Sequence, residues 1–223
     1  MCKSCDCQRG RFGYLFDMNF LPYQSWLRDH SSEKEEKKEK DKEPKLKLDE
    51  KFLETRTILL FGEISQKSAR EVCEKLILLS SLNDNDIKLI INSQGGHVEA
   101  GDTIHDMIRF VKPKVKILGT GWVASAGALI YVSVPVENRY SLPNTRFMLH
   151  QPSGGVGGQA TDISIEAQEI LKMRERLNHI FSVQTGQPVE KIERDTDRNF
   201  WMSAEEAKQY GLVGKVIQSQ ADY

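Results

Sequence analysis

Short apolar runs alternate with amphipathic segments along the chain from residue 57 onward. Residues 57–64 (TILLFGEI) have the composition of a buried strand, and the next segment carries Val72, Leu76 and Leu79 at helical spacing. The same alternation then predicts strands at 86–93, 114–121 and 145–151, and helices at 98–111 and 124–134. Alternation of this kind favours βαβ units around a largely parallel, buried sheet, and therefore an α/β fold.

A long polar-rich segment follows the last of these strands. Residues 160–183 have helical periodicity, with apolar positions at Ile163, Ala167, Ile170 and Leu171. A helix of this length exceeds what a compact core requires. We therefore predict that it projects from the body and packs against another subunit.

The first part of the chain differs in composition from the rest. Every residue from 33 to 43 is charged, in mixed sign, which indicates a solvated linker or a frayed helix because such a block cannot bury apolar surface. Residues 12–27 are rich in aromatic side chains, and we expect this segment to dock on the body or on a partner. The pattern predicts a tail at residues 1–47 and one folded domain at residues 48–223.

Three of the four cysteines lie near the N-terminus and allow two interpretations. Cys2, Cys5 and Cys7 form a CxxCxC run, and thiolates at this spacing can bind zinc. A closed structural site usually has four ligands, however, and Cys73 lies in an apolar helical segment. Reduced thiols on the N-terminal tail are the favoured interpretation, and zinc binding is the alternative.

The overall composition is that of an ordinary globular protein. The chain has 223 residues, 39% of them hydrophobic, and a formal net charge of -1. Positive charge is not in excess, so nothing indicates a nucleic-acid partner. No apolar run approaches the ~18 residues that a membrane span needs, and we expect the protein to stay in the cytoplasm.

Two stretches with suggestive chemistry follow predicted strands, at the edge where ligands gather in an open α/β sheet. Gly95 and Gly96 stand between a strand and a helix, where they either offer N–H groups to an oxyanion or simply supply unusual backbone angles. Ser125 follows a strand and opens a helix among small residues, with the N–H of Ala126 beside it. Ser125 therefore allows two interpretations: a nucleophile, or a small residue that only begins the helix and packs against a neighbour.

A histidine at the end of a third strand supplies a candidate base. A serine hydroxyl is a poor nucleophile at neutral pH and needs a base within hydrogen-bond reach. His150 ends an apolar strand and precedes a loop rich in proline and glycine. The competing interpretation is a histidine whose ring is satisfied by loop carbonyl groups.

Several long motifs in the chain together resemble the ClpP family, the proteolytic subunits of Clp proteases. They are INSQGG, GWVASAGA, the stretch 139–152 ending in FMLHQP, GGQATDI, and ERDTDRN followed by MSAEEAKQYGLV. The resemblance runs from about residue 48 to about residue 218, and the charged block and aromatic tail are not covered.

The resemblance implies a site, a fold and an assembly. Ser125 would be the nucleophile and His150 the general base, and Gly96 and Ala126 would supply the oxyanion-hole N–H groups. The fold would be the crotonase-like α/β superhelix, with the long helix as a handle between two stacked heptameric rings that enclose the active sites. No cofactor or metal is expected, and the Gly-rich stretch after His150 would pair with an extended polypeptide substrate as an added β-strand.

The third triad position departs from the family pattern. Family register places Asn199 where an aspartate is expected, whereas Asp195 and Asp197 are expected to be ion-pair partners of Arg194, Arg198 or another subunit. An amide can orient a histidine but carries no charge to stabilise the imidazolium. We therefore predict slow or partner-dependent hydrolysis, with Asp197 as a substitute if the segment shifts.

The surface at which ClpP proteins receive a Clp AAA+ unfoldase also departs from the family pattern. Lys88 and Ile90 occupy the usual aromatic positions, which calls unfoldase docking into question. Gln94 replaces a proline before the two glycines, a milder change that favours a looser turn. A ClpP paralogue in a mixed barrel would be able to supply docking. Two alternatives remain: a structural or regulatory barrel subunit that does not cut, and an acyl-CoA enzyme of the crotonase type.

Overall fold

The computed structural model describes residues 43–155 and 157–223 of the chain. Its helices are α1 (Glu43–Glu54), α2 (Gln66–Leu82), α3 (Val98–Phe110), α4 (Ala126–Tyr131), α5 (Ala160–Thr185), α6 (Val189–Thr196) and α7 (Ala204–Gln209). Its strands are β1 (Thr57–Ile64), β2 (Ile87–Gly96), β3 (Val115–Ala124), β4 (Arg139–Ser141), β5 (Arg146–Leu149), β6 (Phe200–Ser203) and β7 (Lys215–Val216). Short 3-10 turns lie at Val136–Asn138 and Gln220–Asp222.

The predicted parallel sheet is confirmed. Strands β1, β2, β3, β4 and β7 are neighbours in that order and all run parallel. Strand β3 changes partner along its length: residues 117–119 pair with β4, and residues 122–124 pair with β5. Strand β6 then adds to the other side of β5 in the antiparallel direction. The carboxyl end of β3 is thereby held against β5 rather than β4.

Apolar periodicity determines which faces are buried. Ile87, Leu89 and Ile91 of β2 are fully buried and alternate with partly exposed residues. The helical spacing noted in α2 is also confirmed, because Val72 and Leu76 lie in the same core. Residues 49–223 form one compact unit around this core.

Several predicted boundaries are wrong near the site. Strand β2 continues through Gly96, since both glycines remain paired with β1 instead of forming a separate turn. Strand β3 extends to Ala124, and α4 has only six residues where a helix over 124–134 was expected. After Tyr131 the chain tightens into a turn in which the Ser133 N–H donates to the Ile130 carbonyl, and Pro135 then prevents any further helical turn because it lacks an N–H.

The length predicted for the long helix is confirmed. Helix α5 has 26 residues, and only its second half contributes buried side chains, among them Leu177 and Phe181. Ile165 and Leu171 on the first half are 53% and 55% exposed. Arg176 donates two hydrogen bonds of 2.7 Å to the Asp102 carboxylate, which ties the second half of α5 to α3.

The predictions for the tail lie outside the described residues. The CxxCxC run, the aromatic segment and most of the charged block are in this part of the chain, so zinc binding and docking of the tail stay predictions. The boundary drawn between residues 47 and 48 falls inside α1, and the division into tail and domain also stays a prediction. Within residues 43–155 and 157–223, no cluster of three metal-ligating side chains occurs, and no helix there is long and apolar enough to cross a membrane.

Candidate active site

Ser125 stands at a sharp turn between β3 and α4. Its φ of 55° and ψ of -123° belong to a region that non-glycine residues rarely adopt. Such a conformation costs about 1–3 kcal/mol and persists only where the surroundings impose it. Here the Ser125 N–H donates a 2.9 Å hydrogen bond to the carbonyl of Met148 in β5. The pairing of β3 with β5 therefore holds the serine in a strained position at the strand end.

The two glycines at the end of β2 lie against neighbouring backbone. A Cβ added at Gly95 would lie 2.6 Å from the Ser125 Cβ, and one added at Gly96 would lie 2.2 Å from the Ile64 carbonyl oxygen. Both positions thus require glycine, and Gly95 brings the backbone of β2 next to the serine. Ala126 begins α4, so its N–H has no acceptor within the helix. These positions suit an oxyanion hole, and that role for Gly96 and Ala126 stays a prediction.

His150 follows β5 directly and contacts the serine. Its Nε2 lies 2.7 Å from the Ser125 Oγ. When the ring proton is on Nδ1, the serine hydroxyl donates to Nε2, which is the arrangement of a nucleophile with its base. The interpretation in which loop carbonyl groups satisfy His150 is wrong for this nitrogen. The structure brings the two side chains together although 25 residues separate them.

Asn199 reaches the histidine because β6 runs antiparallel to β5. Leu149 pairs with Phe200, so the residues after Leu149 and before Phe200 lie next to each other. The Asn199 side chain is near enough to His150 to act on its pKa. Burial lowers the pKa of His150, and the hydrogen bond with Asn199 partly offsets this by raising it. The imidazole is therefore biased toward its neutral form, which is the form that accepts a proton.

The two aspartates near Asn199 are engaged elsewhere. The Asp195 carboxylate accepts hydrogen bonds from Lys191 Nζ at 2.6 Å and from the Tyr210 hydroxyl at 2.8 Å. Arg194 was one expected partner, but it acts on Asp195 only through its charge. Asp197 forms the expected ion pair with Arg198, at 3.5 Å. Family register and the structure agree that Asn199 is the group beside His150.

Gln151 is a positioning residue that the sequence interpretation missed. Its backbone N–H donates to the Thr196 carbonyl at 2.7 Å, and its side-chain amide donates to the Asp197 carbonyl at 2.8 Å. These bonds fasten the segment before Asn199 to the residue after His150. The available signal was the position of Gln151 directly beside the candidate base.

Comparison with known proteins agrees with this geometry. The family model described as Clp protease matches residues 40–220. The proteolytic subunit 3 of the ATP-dependent Clp protease from Rhizobium johnstonii is 60% identical over 171 residues, which cover 77% of this chain and 88% of the relative. Proteolytic subunit 2 from Pseudomonas aeruginosa is 54% identical over 176 residues, covering 79% and 88%.

Solved structures give the same result. An asparagine-to-aspartate mutant of ClpP1 from Listeria monocytogenes superposes with a TM-score of 0.74 at 55% identity, covering 78% of this chain and 98% of that one. ClpP1 from the same organism gives a TM-score of 0.72 at 54% identity. The predicted ClpP-like fold is thus confirmed, and with a family model covering most of its length the chain belongs to the Clp protease family, among the proteolytic subunits.

Proposed function

We propose that this chain is a serine peptidase subunit that cleaves unfolded polypeptides through an acyl-enzyme intermediate. The observation that supports this most directly is the 2.7 Å contact between Ser125 Oγ and His150 Nε2 at the strand ends. His150 takes the hydroxyl proton as Ser125 attacks the scissile carbonyl carbon. The N–H groups of Gly96 and Ala126 stabilise the resulting oxyanion.

The second half of the reaction uses the same groups. Protonated His150 gives its proton to the leaving amine, and the carbon–nitrogen bond breaks to leave an ester on Ser125. Water then attacks the ester carbonyl while His150 takes a proton from it. Collapse of that intermediate releases the new carboxyl group and returns the proton to Ser125.

Asn199 is proposed to limit the rate. Its side chain orients the imidazole, but as a neutral amide it does not stabilise the imidazolium that forms when Ser125 loses its proton.

The exposed loop after His150, including Ser153, Gly154 and Gly155, offers an edge for an extended substrate. Contacts to the substrate backbone there would give weak sequence preference.

A fluorophosphonate that modifies activated serines tests the proposed chemistry. Incubation of the assembled protein, with and without a ClpP paralogue, is expected to label Ser125, and peptide mapping locates the adduct. Ser125→Ala serves as the control and removes the label. Absence of labelling in both assemblies would rule out the peptidase function.

The pH dependence of kcat/KM reports the protonation of His150 in the free enzyme. Burial lowers the pKa of His150. Its ring therefore stays neutral at pH values below about 6.5, the ordinary pKa of a histidine. Activity is therefore expected to persist down to about that pH and to fall as pH drops through the lowered pKa. Initial rates with a fluorogenic peptide measure this, and size-exclusion chromatography at each pH checks the assembly. An acidic limb above about 6.5 contradicts the expected environment of His150.

A structural or regulatory subunit that does not cut is the second candidate function. Asn199 in place of a carboxylate is the observation that favours it. Failure of fluorophosphonate labelling, together with normal ring assembly, would support it. A crotonase-type acyl-CoA enzyme fits less well because a paired serine and histidine have no role there.

Members of this family form ring oligomers and work with Clp ATPases. We propose that the exposed residues of α5 contact a second ring and that an unfoldase or paralogue binds near Lys88 and Ile90. These two residues line a cleft of about 650 Å³ that also includes Tyr223. Tyr223 stacks edge-on against Tyr140, with ring centroids 5.0 Å apart. Tyr223 thus brings one aromatic ring to this cleft although Lys88 and Ile90 stand at the aromatic positions of β2.

A further inference from the structure

The sheet face that carries the proposed catalytic groups continues beyond them. Alternate residues of a strand point to the same face, so Arg146, Met148 and His150 share one face of β5 and its extension. Met148 of β5 pairs with Trp201 of β6, so the two side chains lie on the same face. Asn199 precedes Trp201 by two residues and therefore shares that face. Arg146 and Trp201 therefore lie on the same side of the sheet as His150 and Asn199.

A third side chain completes a strip on this face. Trp122 of β3 is in register with Arg146 of β5. Trp122 is 42% exposed and Trp201 is 37% exposed, which is unusual for residues of this size. The Arg146 guanidinium lies 4.3 Å from the ring centroid of Trp201. We refer to Trp122, Arg146 and Trp201 as the Trp–Arg–Trp strip.

Arg146 is exposed and has no carboxylate partner in the part of the chain that the structure describes. The ion pairs found there join other residues. The guanidinium lies over the Trp201 ring, and no hydrogen bond among the described residues engages its N–H groups. The planar guanidinium can donate two parallel N–H hydrogen bonds, and this geometry matches the two oxygens of a carboxylate. The charge and geometry of the strip therefore suit an acidic side chain.

The strip is close enough to the serine to meet the same substrate. Arg146 is four residues before His150, a distance of about 13 Å along an extended strand. An extended polypeptide covers this distance in about four residues. Met148 lies between the two ends on the same face of the sheet.

We propose that the Trp–Arg–Trp strip is a substrate subsite that binds an acidic side chain, Asp or Glu, about four residues from the scissile bond. This proposal rests on the proposed peptidase function. Arg146 supplies the charge-assisted hydrogen bonds, and Trp122 and Trp201 provide flat apolar surfaces on either side. The subsite would favour acidic unfolded segments in a protein whose remaining substrate contacts are to the backbone.

Binding to an uncut complex tests the subsite without requiring turnover. The full chain carrying Ser125→Ala is titrated into a series of fluorescent peptides that differ in the position of a single Glu. Each peptide has a control with Gln at the same position. Fluorescence anisotropy is expected to show about fivefold tighter binding of the Glu peptide at one position, as for an exposed but well-oriented ion pair.

Two further variants decide whether Arg146 is responsible. Adding Arg146→Gln to Ser125→Ala is expected to bring the Glu to Gln affinity ratio to about one, whereas Arg109→Gln, the same charge change on an exposed residue of α3, leaves the ratio unchanged. A ratio near one throughout the scan, or a preference that survives Arg146→Gln, would overturn the subsite.

Hydrolysis of the Gln peptides by the unmodified protein separates the two proposals. If these neutral peptides are cut and the Glu preference is absent, only the subsite is wrong. If Glu peptides bind in an Arg146-dependent way and none is cut, the subsite stands as a binding site and the peptidase function is wrong.

Discussion

Replacing Asn199 by aspartate is expected to raise kcat for peptide hydrolysis by about 10²-fold or more, with about 10⁴ as the ceiling. The ceiling is the loss caused by the reverse change in a serine protease of another fold. A carboxylate beside His150 selects the productive tautomer and stabilises the imidazolium. Position 199 is exposed in the chain, so solvent screens part of the charge of an aspartate there. The gain in kcat is therefore expected to stay below about 10⁴-fold.

Steady-state rates with a fluorogenic peptide measure the gain from Asn199→Asp. The carboxylate should also raise the pKa of His150, so the acidic limb of kcat/KM is expected to move to higher pH than in the unmodified protein. Asp197→Asn is the matched control and should leave kcat nearly unchanged, since Asp197 contacts Gln151 and Arg198 instead. An unchanged rate in Asn199→Asp would support the subunit that does not cut.

Replacing Gly95 by alanine is expected to lower kcat by at least about 10²-fold, the order of loss seen when reacting groups are displaced by 1 Å. The new Cβ would lie 2.6 Å from the Ser125 Cβ and 2.9 Å from the Ala124 carbonyl oxygen. Contacts this short force the serine or the end of β2 to move. Because Ser125 is already strained, its Oγ would lose its alignment with His150.

Gly62→Ala is the matched control for Gly95→Ala. Gly62 has a φ of +85° against +98° for Gly95, but a Cβ at Gly62 has open space around it. Both variants therefore carry a comparable backbone penalty, and only Gly95→Ala crowds the serine. Thermal unfolding and rates are measured for both. Equal activity in the two variants would show that Gly95 does not position Ser125.

The candidate site residues could be named from the sequence because local signals single out Ser125 and His150 and the family motifs then assign their roles. Ser125 opens a helix among small residues, and His150 closes an apolar strand. Motif register then selected Asn199 over two carboxylates that looked chemically better. The element pattern also predicted the parallel sheet and the long helix, since hydrophobic periodicity depends only on neighbouring residues.

Helix and strand boundaries near the serine were less predictable. Two glycines at the end of β2 are typical of a turn, yet tertiary pairing with β1 keeps them in the sheet. The apolar run after Ser125 does not distinguish a long helix from a short one followed by a turn. In both places, packing against distant residues overrides the local preference.

What the sequence by itself determined is the type of fold and, through its resemblance to ClpP proteins, the candidate nucleophile Ser125, the candidate base His150 and an amide instead of a carboxylate at the third position. The tertiary structure alone decided which groups meet. Antiparallel pairing of β6 with β5 places Asn199 beside His150 and Trp201 beside Arg146. The physical reason is that strand partners are chosen by burial and backbone hydrogen bonds between segments some 50 residues apart, which no local periodicity records.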